Sequence, residues 1–188
     1  ESRGLGDVYK RQYLESHRKD LDGIYISGGE PLMHEGVVSF LQYAKTLNYK
    51  IKIHTNGMFY ERLKTILAQK LVDHVSLDIK NAPSAYAKTC GVEDMDLKDI
   101  EKSLDLLKQS AVPYDICVTL VDELHNQATI EELGQWIQGV DTVILQPFED
   151  SETTIDHSLH RPSFEVVLKY KKIFEKYVKH VKIRGDQA

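Results

Sequence analysis

An α/β fold built on a parallel β-sheet is the reading this sequence favours, on three observations. Short apolar or alternating segments recur along the chain, and between them lie segments whose apolar residues have helical spacing. Strands joined through helices form right-handed crossovers, which lay the strands parallel in one sheet. The unusual polar residues fall repeatedly at the C-terminal ends of strands, the edge where parallel α/β folds place their ligands. Five or more such strands make either an open doubly wound sheet or part of a barrel.

The elements follow in order. Glu1 to Gln12 reads ESRGLGDVYKRQ, without an initiator methionine. Ser2 to Gln12 can be written in codons as a transposase sequencing adapter read in frame. Residues 1–12 are therefore expected to be a non-native scar outside the fold, with the natural chain continuing upstream of Tyr13. Residues 13–188 are expected to form one domain. Tyr13 to Asp20 reads as the tail of a charged helix, and Ile24 to Ser27 as the first strand. Gly36 to Leu47 repeats apolar residues at helical spacing. Lys50 to Thr55, KIKIHT, alternates at period two and reaches Asn56-Gly57, a turn pair suited to positive φ. Phe59 to Gln69 is helical, and His74 to Lys80, HVSLDIK, is a strand. Cys90 ends a short helix before Gly91. Leu97 to Ser110 is an amphipathic helix, with Asp96 expected as N-cap and Asp99 in the first turn. Tyr114 to Val121 is a strand. Thr129 to Gln138 is a helix, with Thr129 and Glu132 expected as a capping box. Thr142 to Phe148 is a strand closed by a proline, and residues 150–162 are a loop. Ser163 to Tyr177 is a helix, and Val181 to Arg184 a last short strand.

Composition narrows the function classes. The chain has 188 residues, 41% apolar and 28% charged, which describes a globular protein with a sizeable core. A net charge of −5 gives nucleic-acid binding no support. No apolar run is long enough to cross a membrane and no signal-peptide pattern occurs, so a cytoplasmic location is expected. The two cysteines, Cys90 and Cys117, are not at metal-ligand spacing. Cys117 reads as a small buried hydrophobe. His54 and His74 read as structural histidines. The basic run from Lys169 to Arg184 reads as the solvated face of the last helix.

The chemistry concentrates in Asp22 to Pro31, DGIYISGGEP. Gly28 and Gly29 let a ligand lie against bare backbone at a strand end. Glu30 sets a carboxylate there, able to accept charge-assisted hydrogen bonds from an ammonium group. Pro31 fixes the following turn and removes a competing donor. Thr55 and Asn56 end the second strand, Asp78 and Lys80 the third, and Gln146 and Glu149 the fifth. Asp78 and Lys80, two apart on a strand, face the same side. In a barrel that side is the lumen, where a fixed acid and base can grip a zwitterion. No catalytic residue and no metal ligand is assigned from these residues.

ISGGEPLM, KIHTNG, SLDIK and LQPF, in this order, resemble the radical S-adenosylmethionine superfamily. Within it, YLESHRKDLDGIYISGGEPLM, LQPFED and VKIRG are most similar to activating proteins of anaerobic ribonucleoside-triphosphate reductase, a glycyl-radical enzyme. The resemblance spans Tyr13 to Gln187. It implies a partial parallel (β/α) barrel, with the first strand and cluster loop missing from this chain. It implies that Gly28, Gly29 and Glu30 receive the methionyl amino group of S-adenosylmethionine, with Thr55 and Asn56 beside the methionyl and ribose portions. Asp78 and Lys80 would help hold the sulfonium ligand, and Gln146 and Pro147 would border the adenosine. It implies a [4Fe–4S] cluster in the full-length parent, a glycyl-radical reductase as partner, and an electron donor such as flavodoxin or ferredoxin. In such enzymes the cofactor yields a deoxyadenosyl radical that takes hydrogen from a glycine of the partner, while the protein orients it and excludes water.

The chain departs from the resemblance in three places. The family holds its cluster with three cysteines spaced C-x3-C-x2-C, and Cys90 and Cys117 cannot supply three thiolates. This fragment is therefore expected to be inactive. His54 stands where pyruvate formate-lyase activators carry an acid, and Cys117 near where relatives place a strand arginine. The alternatives are an activator of pyruvate formate-lyase or a related glycyl-radical enzyme, and a non-catalytic barrel acting as a binding module. A barrel lacking its first strand is also expected to expose an unpaired edge.

Overall fold

The computed structural model describes residues 11–152, 154 and 156–185. Residues 11–16 are helical, so Arg11 and Gln12, assigned to the scar, form the first described turn with Tyr13. The rest of the scar, residues 1–10, lies outside the described residues.

Six strands follow: β1 (Gly23–Ile26), β2 (Lys50–Thr55), β3 (His74–Asp78), β4 (Tyr114–Leu120), β5 (Thr142–Pro147) and β6 (His180–Ile183). They make one sheet in the order β1-β2-β3-β4-β5-β6, every neighbouring pair parallel. The helices are α1 (Val37–Thr46), α2 (Tyr60–Ala68), α3 (Pro83–Thr89), α4 (Lys98–Gln109), α5 (Gln127–Trp136) and α6 (Phe164–Phe174). A 3-10 turn, Pro31–Met33, follows β1. Sequential strand order with helical crossovers makes an open α/β sheet of the partial-barrel kind, as expected. Among the described residues β1 and β6 are its edges.

The sheet has two unlike faces, and the alternation in the sequence explains both. One face carries Ile51, Ile53, Val75, Leu77, Ile116, Val118, Val143 and Leu145. It packs on Leu41 of α1, Leu63 and Ile66 of α2, Leu104 of α4, Leu133 of α5 and Phe174 of α6 in a single core. Each such fully buried side chain contributes about 1.5–3 kcal/mol. The other face carries Tyr25, Lys52, His54, Ser76, Asp78, Asp115, Cys117, Thr119 and Gln146, none of which belongs to that core. A doubly wound sheet would need apolar residues on both faces. This sheet is covered by helices on one face and polar on the other.

Several local expectations shift. The strand expected over His74 to Lys80 stops at Asp78, because the Lys80 carbonyl is taken by the His125 ring instead of a neighbouring strand. The capping box of α5 is Asn126 with Thr129, one turn earlier than expected. Glu132 instead accepts from the Ser84 main-chain N–H at 3.0 Å and its hydroxyl at 2.5 Å, tying α5 to α3. Leu97, not Asp96, takes the N-cap position of α4, yet Asp96 still accepts from the Lys98 N–H at 3.0 Å. Cys90 caps the end of α3 as expected. Cys117 is 4% exposed, but it lies on the polar face and its thiol donates to Asp115 Oδ1 at 3.4 Å.

Candidate functional site

The loop after β1 is shaped by its glycines. Gly28 and Gly29 take φ of 88° and 53°, left-handed values that side chains resist. A Cβ on either would meet nothing within 4 Å, so the turn demands the glycines and the backbone there is open. Glu30 is then extended and caps the 3-10 turn, with Pro31 at its first position.

Glu30 laces two strand ends together. Its Oε1 accepts from Leu32 N–H at 2.9 Å and from the Thr55 hydroxyl at 2.8 Å, and its Oε2 from Asn56 N–H at 2.6 Å. The residue is 9% exposed. The sequence suggested a carboxylate offered to a ligand; the structure engages it first with three protein donors. Thr55 lies on the helix-covered face, where its hydroxyl also accepts from Gly57 N–H at 3.2 Å. Asn56 Oδ1 accepts from Met58 N–H at 3.0 Å. Glu30, Thr55 and Asn56 thus form one unit, and Asp78, Lys80 and Gln146 occupy the polar side of the sheet.

On that side Lys80 donates to the Asp78 carboxylate. His54 Nε2 lies 3.9 Å from the same carboxylate, and its Nδ1 lies 2.8 Å from the Tyr25 hydroxyl. Burial lowers the His54 pKa; Asp78 opposes this, while the Lys80 and Arg184 cations reinforce it. His54 is therefore neutral at pH 7. Lys80 itself is held from behind. His125, buried in the β4–α5 connection, donates from Nε2 to the Lys80 carbonyl at 3.0 Å and accepts at Nδ1 from Val121 N–H at 3.1 Å. Asn81, fully buried, donates to the Leu124 carbonyl at 2.8 Å.

Deeper on the polar face, Asp115 gathers donors from β2 and β3. Lys52 Nζ lies at 3.2 Å, His74 Nε2 at 2.6 Å and the Ser76 hydroxyl at 2.6 Å. Burial alone would raise the Asp115 pKa, but the bonds from Ser76 and His74 and the Lys52 charge hold it below the usual carboxylate range. Burial, and then Asp115, push the Cys117 thiol up to about 12, so it stays protonated. At the far side, Gln146 Oε1 accepts from Arg184 at 2.6 Å and Glu149 from Arg161 at 2.9 Å. Reading the sequence element by element missed Tyr25, Lys52, Asp115, His125 and Arg184. The signal for Asp115 was available: an acid inside a central, otherwise apolar strand must have buried partners. A groove of about 300 Å³ at the opposite, N-terminal ends of β1 to β3, lined by Tyr25, Lys52 and Asp73 among others, holds none of the predicted site residues.

Residues 7–137 match the family model for the radical SAM superfamily. This chain is a radical SAM protein. A candidate glycyl-radical enzyme activating enzyme of Methanocaldococcus jannaschii is 30% identical to it over 169 residues, 87% of this chain and 70% of the relative. Among solved structures, a domain of pyruvate-formate lyase-activating enzyme from Bacteroides vulgatus aligns with a TM-score of 0.67 at 19% identity, covering 87% of this chain and 99% of that one. Streptococcus suis SuiB bound to S-adenosylmethionine aligns with a TM-score of 0.73 at 13% identity, covering 95% of this chain and 43% of that one. These two likenesses support the radical SAM fold.

Radical SAM membership implies S-adenosylmethionine and a [4Fe–4S] cluster. The rim offers what a zwitterionic nucleoside needs: open glycine backbone, paired acid and base, and amide groups. The cluster does not fit the cysteines of this chain. A cluster of this type needs three thiolates, and the chain has two cysteines, one exposed at the end of α3 and one buried as a thiol on β4. Among the described residues no group of three or more His, Cys, Asp or Glu side chains can hold a metal ion.

Proposed function

We propose that this chain belongs to an enzyme that activates a glycyl-radical reductase, and that its C-terminal rim binds S-adenosylmethionine. The observation that carries the activating role is the 30% identity, over 87% of the chain, to the candidate glycyl-radical enzyme activating enzyme. S-adenosylmethionine, cleaved reductively, supplies the hydrogen-abstracting chemistry of this class. The residues of this chain do the binding and positioning. Gly28 and Gly29 leave backbone open to the methionyl group. Glu30, with Pro31, holds that loop against Thr55 and Asn56. Asp78 and Lys80 present a paired acid and base, and Gln146 an amide for the nucleoside. The two cysteines support the reading that this chain by itself holds no cluster and is inactive.

The target in this reading is anaerobic ribonucleoside-triphosphate reductase, on the strength of the LQPFED and VKIRG segments, with flavodoxin or ferredoxin as electron donor. Among the described residues no helix is long and apolar enough to cross a membrane, which agrees with action in the cytoplasm. The test mixes the product of the complete gene, S-adenosylmethionine and a reductant anaerobically with candidate reductases. A glycyl-radical signal in the ribonucleotide reductase supports the proposal. A signal in pyruvate formate-lyase alone reassigns the target. No signal in any glycyl-radical enzyme, with the nucleoside bound, leaves a binding module and overturns the enzymatic reading.

A further inference from the structure

Among the described residues the polar face of the strands carries two acids, Asp78 and Asp115, and both are engaged. Asp115 takes Lys52 and His74, and Asp78 takes Lys80 with His54 close by. Arg184 is different. Its N–H donates to the Leu145 carbonyl at 2.8 Å, continuing the β6 ladder one step past Ile183. Its side chain then turns toward Gln146, on the polar face of β5, and donates one Nη1–H to Oε1 at 2.6 Å. Among the described residues no carboxylate comes within ion-pair distance of it, and it has no other hydrogen-bond partner. Its charge nevertheless reaches the site: at His54 on β2 it adds to the lowering of the pKa by burial, and at Cys117 on β4 it opposes the larger upward push of burial.

A guanidinium presents five N–H donors in a rigid plane, and here one is used. The edge formed by Nε and Nη2 is left over, and that edge matches the two oxygens of a carboxylate. Lys80 is less suited, because binding a ligand would compete with its bond to Asp78. We infer that Arg184, oriented by Gln146, is a carboxylate-binding residue of the polar face. The inference rests on the reading of the rim as a nucleoside site. The carboxylate has two sources, the methionyl end of S-adenosylmethionine or an acidic side chain of the polypeptide substrate.

Calorimetric titration of the complete gene product separates them, using S-adenosylmethionine and its decarboxylated analogue. The variants are Arg184→Gln, Arg184→Lys and Arg184→Met, each checked for an unchanged melting temperature. If the source is the cofactor, Arg184→Gln weakens S-adenosylmethionine binding by about ten- to a hundredfold and leaves the analogue unaffected. Arg184→Lys then falls between, and Arg184→Met loses a factor like that of Arg184→Gln, which keeps the inference testable if the glutamine variant fails to fold. If the source is the substrate, nucleoside binding is unchanged and the KM for the reductase rises about tenfold or more at constant kcat. Arg184→Gln and Arg184→Met that alter neither quantity overturn the inference while the rim reading stands. A wild type that binds neither nucleoside overturns the rim reading and this assignment with it.

Discussion

Replacing Glu30 with alanine is expected to destabilise the protein far more than an ordinary loop substitution. The carboxylate accepts from Leu32 N–H, the Thr55 hydroxyl and Asn56 N–H, and Leu32 and Thr55 are almost fully buried. An orphaned buried donor costs about 1–3 kcal/mol. The Leu32 amide is at the upper part of that range, because nothing else reaches it at the start of the turn. The Thr55 hydroxyl can rotate and the Asn56 amide is half-buried, so about 1 kcal/mol each is reasonable. The sum is about 4–5 kcal/mol, equivalent to roughly 8–20 °C in Tm for a domain of this size. Glu30→Gln keeps one oxygen but turns an amide toward the Asn56 N–H, so about 1–2 kcal/mol is expected. Urea unfolding of both variants, with Thr55→Val and the double variant, gives the coupling between Glu30 and Thr55, expected at about 1–2 kcal/mol. An alanine variant within about 1 kcal/mol of wild type, or a coupling of zero, would show that the lacing of β1 to β2 does not stabilise the fold. In the complete gene product Glu30→Ala is also expected to weaken S-adenosylmethionine binding; unchanged affinity removes Glu30 from the site.

Four further outcomes follow from the same geometry. Asp115 has a depressed pKa, so its contribution is present above the unfolded carboxylate value of about 4 and is lost as pH falls through the folded value; Asp115→Asn should flatten the acid limb of a stability-versus-pH curve. Burial lowers the pKa of His125, as of His54, so wild-type stability should decline as pH falls below about 6.5, and His125→Gln should remove part of that decline. A Cβ on Gly134 would lie 2.4 Å from the Tyr177 ring, which its hydroxyl anchors to Glu131; Gly134→Ala should cost about 1–3 kcal/mol in denaturant unfolding. Reconstitution of this chain with iron and sulfide should give no stoichiometric [4Fe–4S] absorbance, since two cysteines cannot supply three thiolates; a full cluster per chain would defeat that reasoning.

Much of the fold was legible in local pattern. KIKIHT alternates because β2 has one face in the core and one outside it, and Leu63 with Ile66 repeats at helical spacing because α2 buries one stripe. The Asn56-Gly57 pair after β2 marked a positive-φ turn, and Gly57 takes φ of 79°. Caps were less legible. Asn126 and Thr129 win over Thr129 and Glu132 because Glu132 finds the Ser84 amide and hydroxyl across the α3–α5 contact. No scan of α5 alone could contain that competitor.

Sequence alone determined the order and type of the strands and helices, the parallel sheet, and the gathering of Gly28, Thr55, Asp78 and Gln146 along one edge. Those follow from side-chain period and from the handedness of crossovers, which are local properties of the chain. The pairings were settled only by the folded sheet. Asp115 meets Lys52 and His74 because β2, β3 and β4 align in one register, and Arg184 meets Gln146 because β6 closes beside β5. A hydrogen bond depends on a few ångströms of separation between distant segments, and that separation exists only once the shared core has fixed how the strands lie against one another.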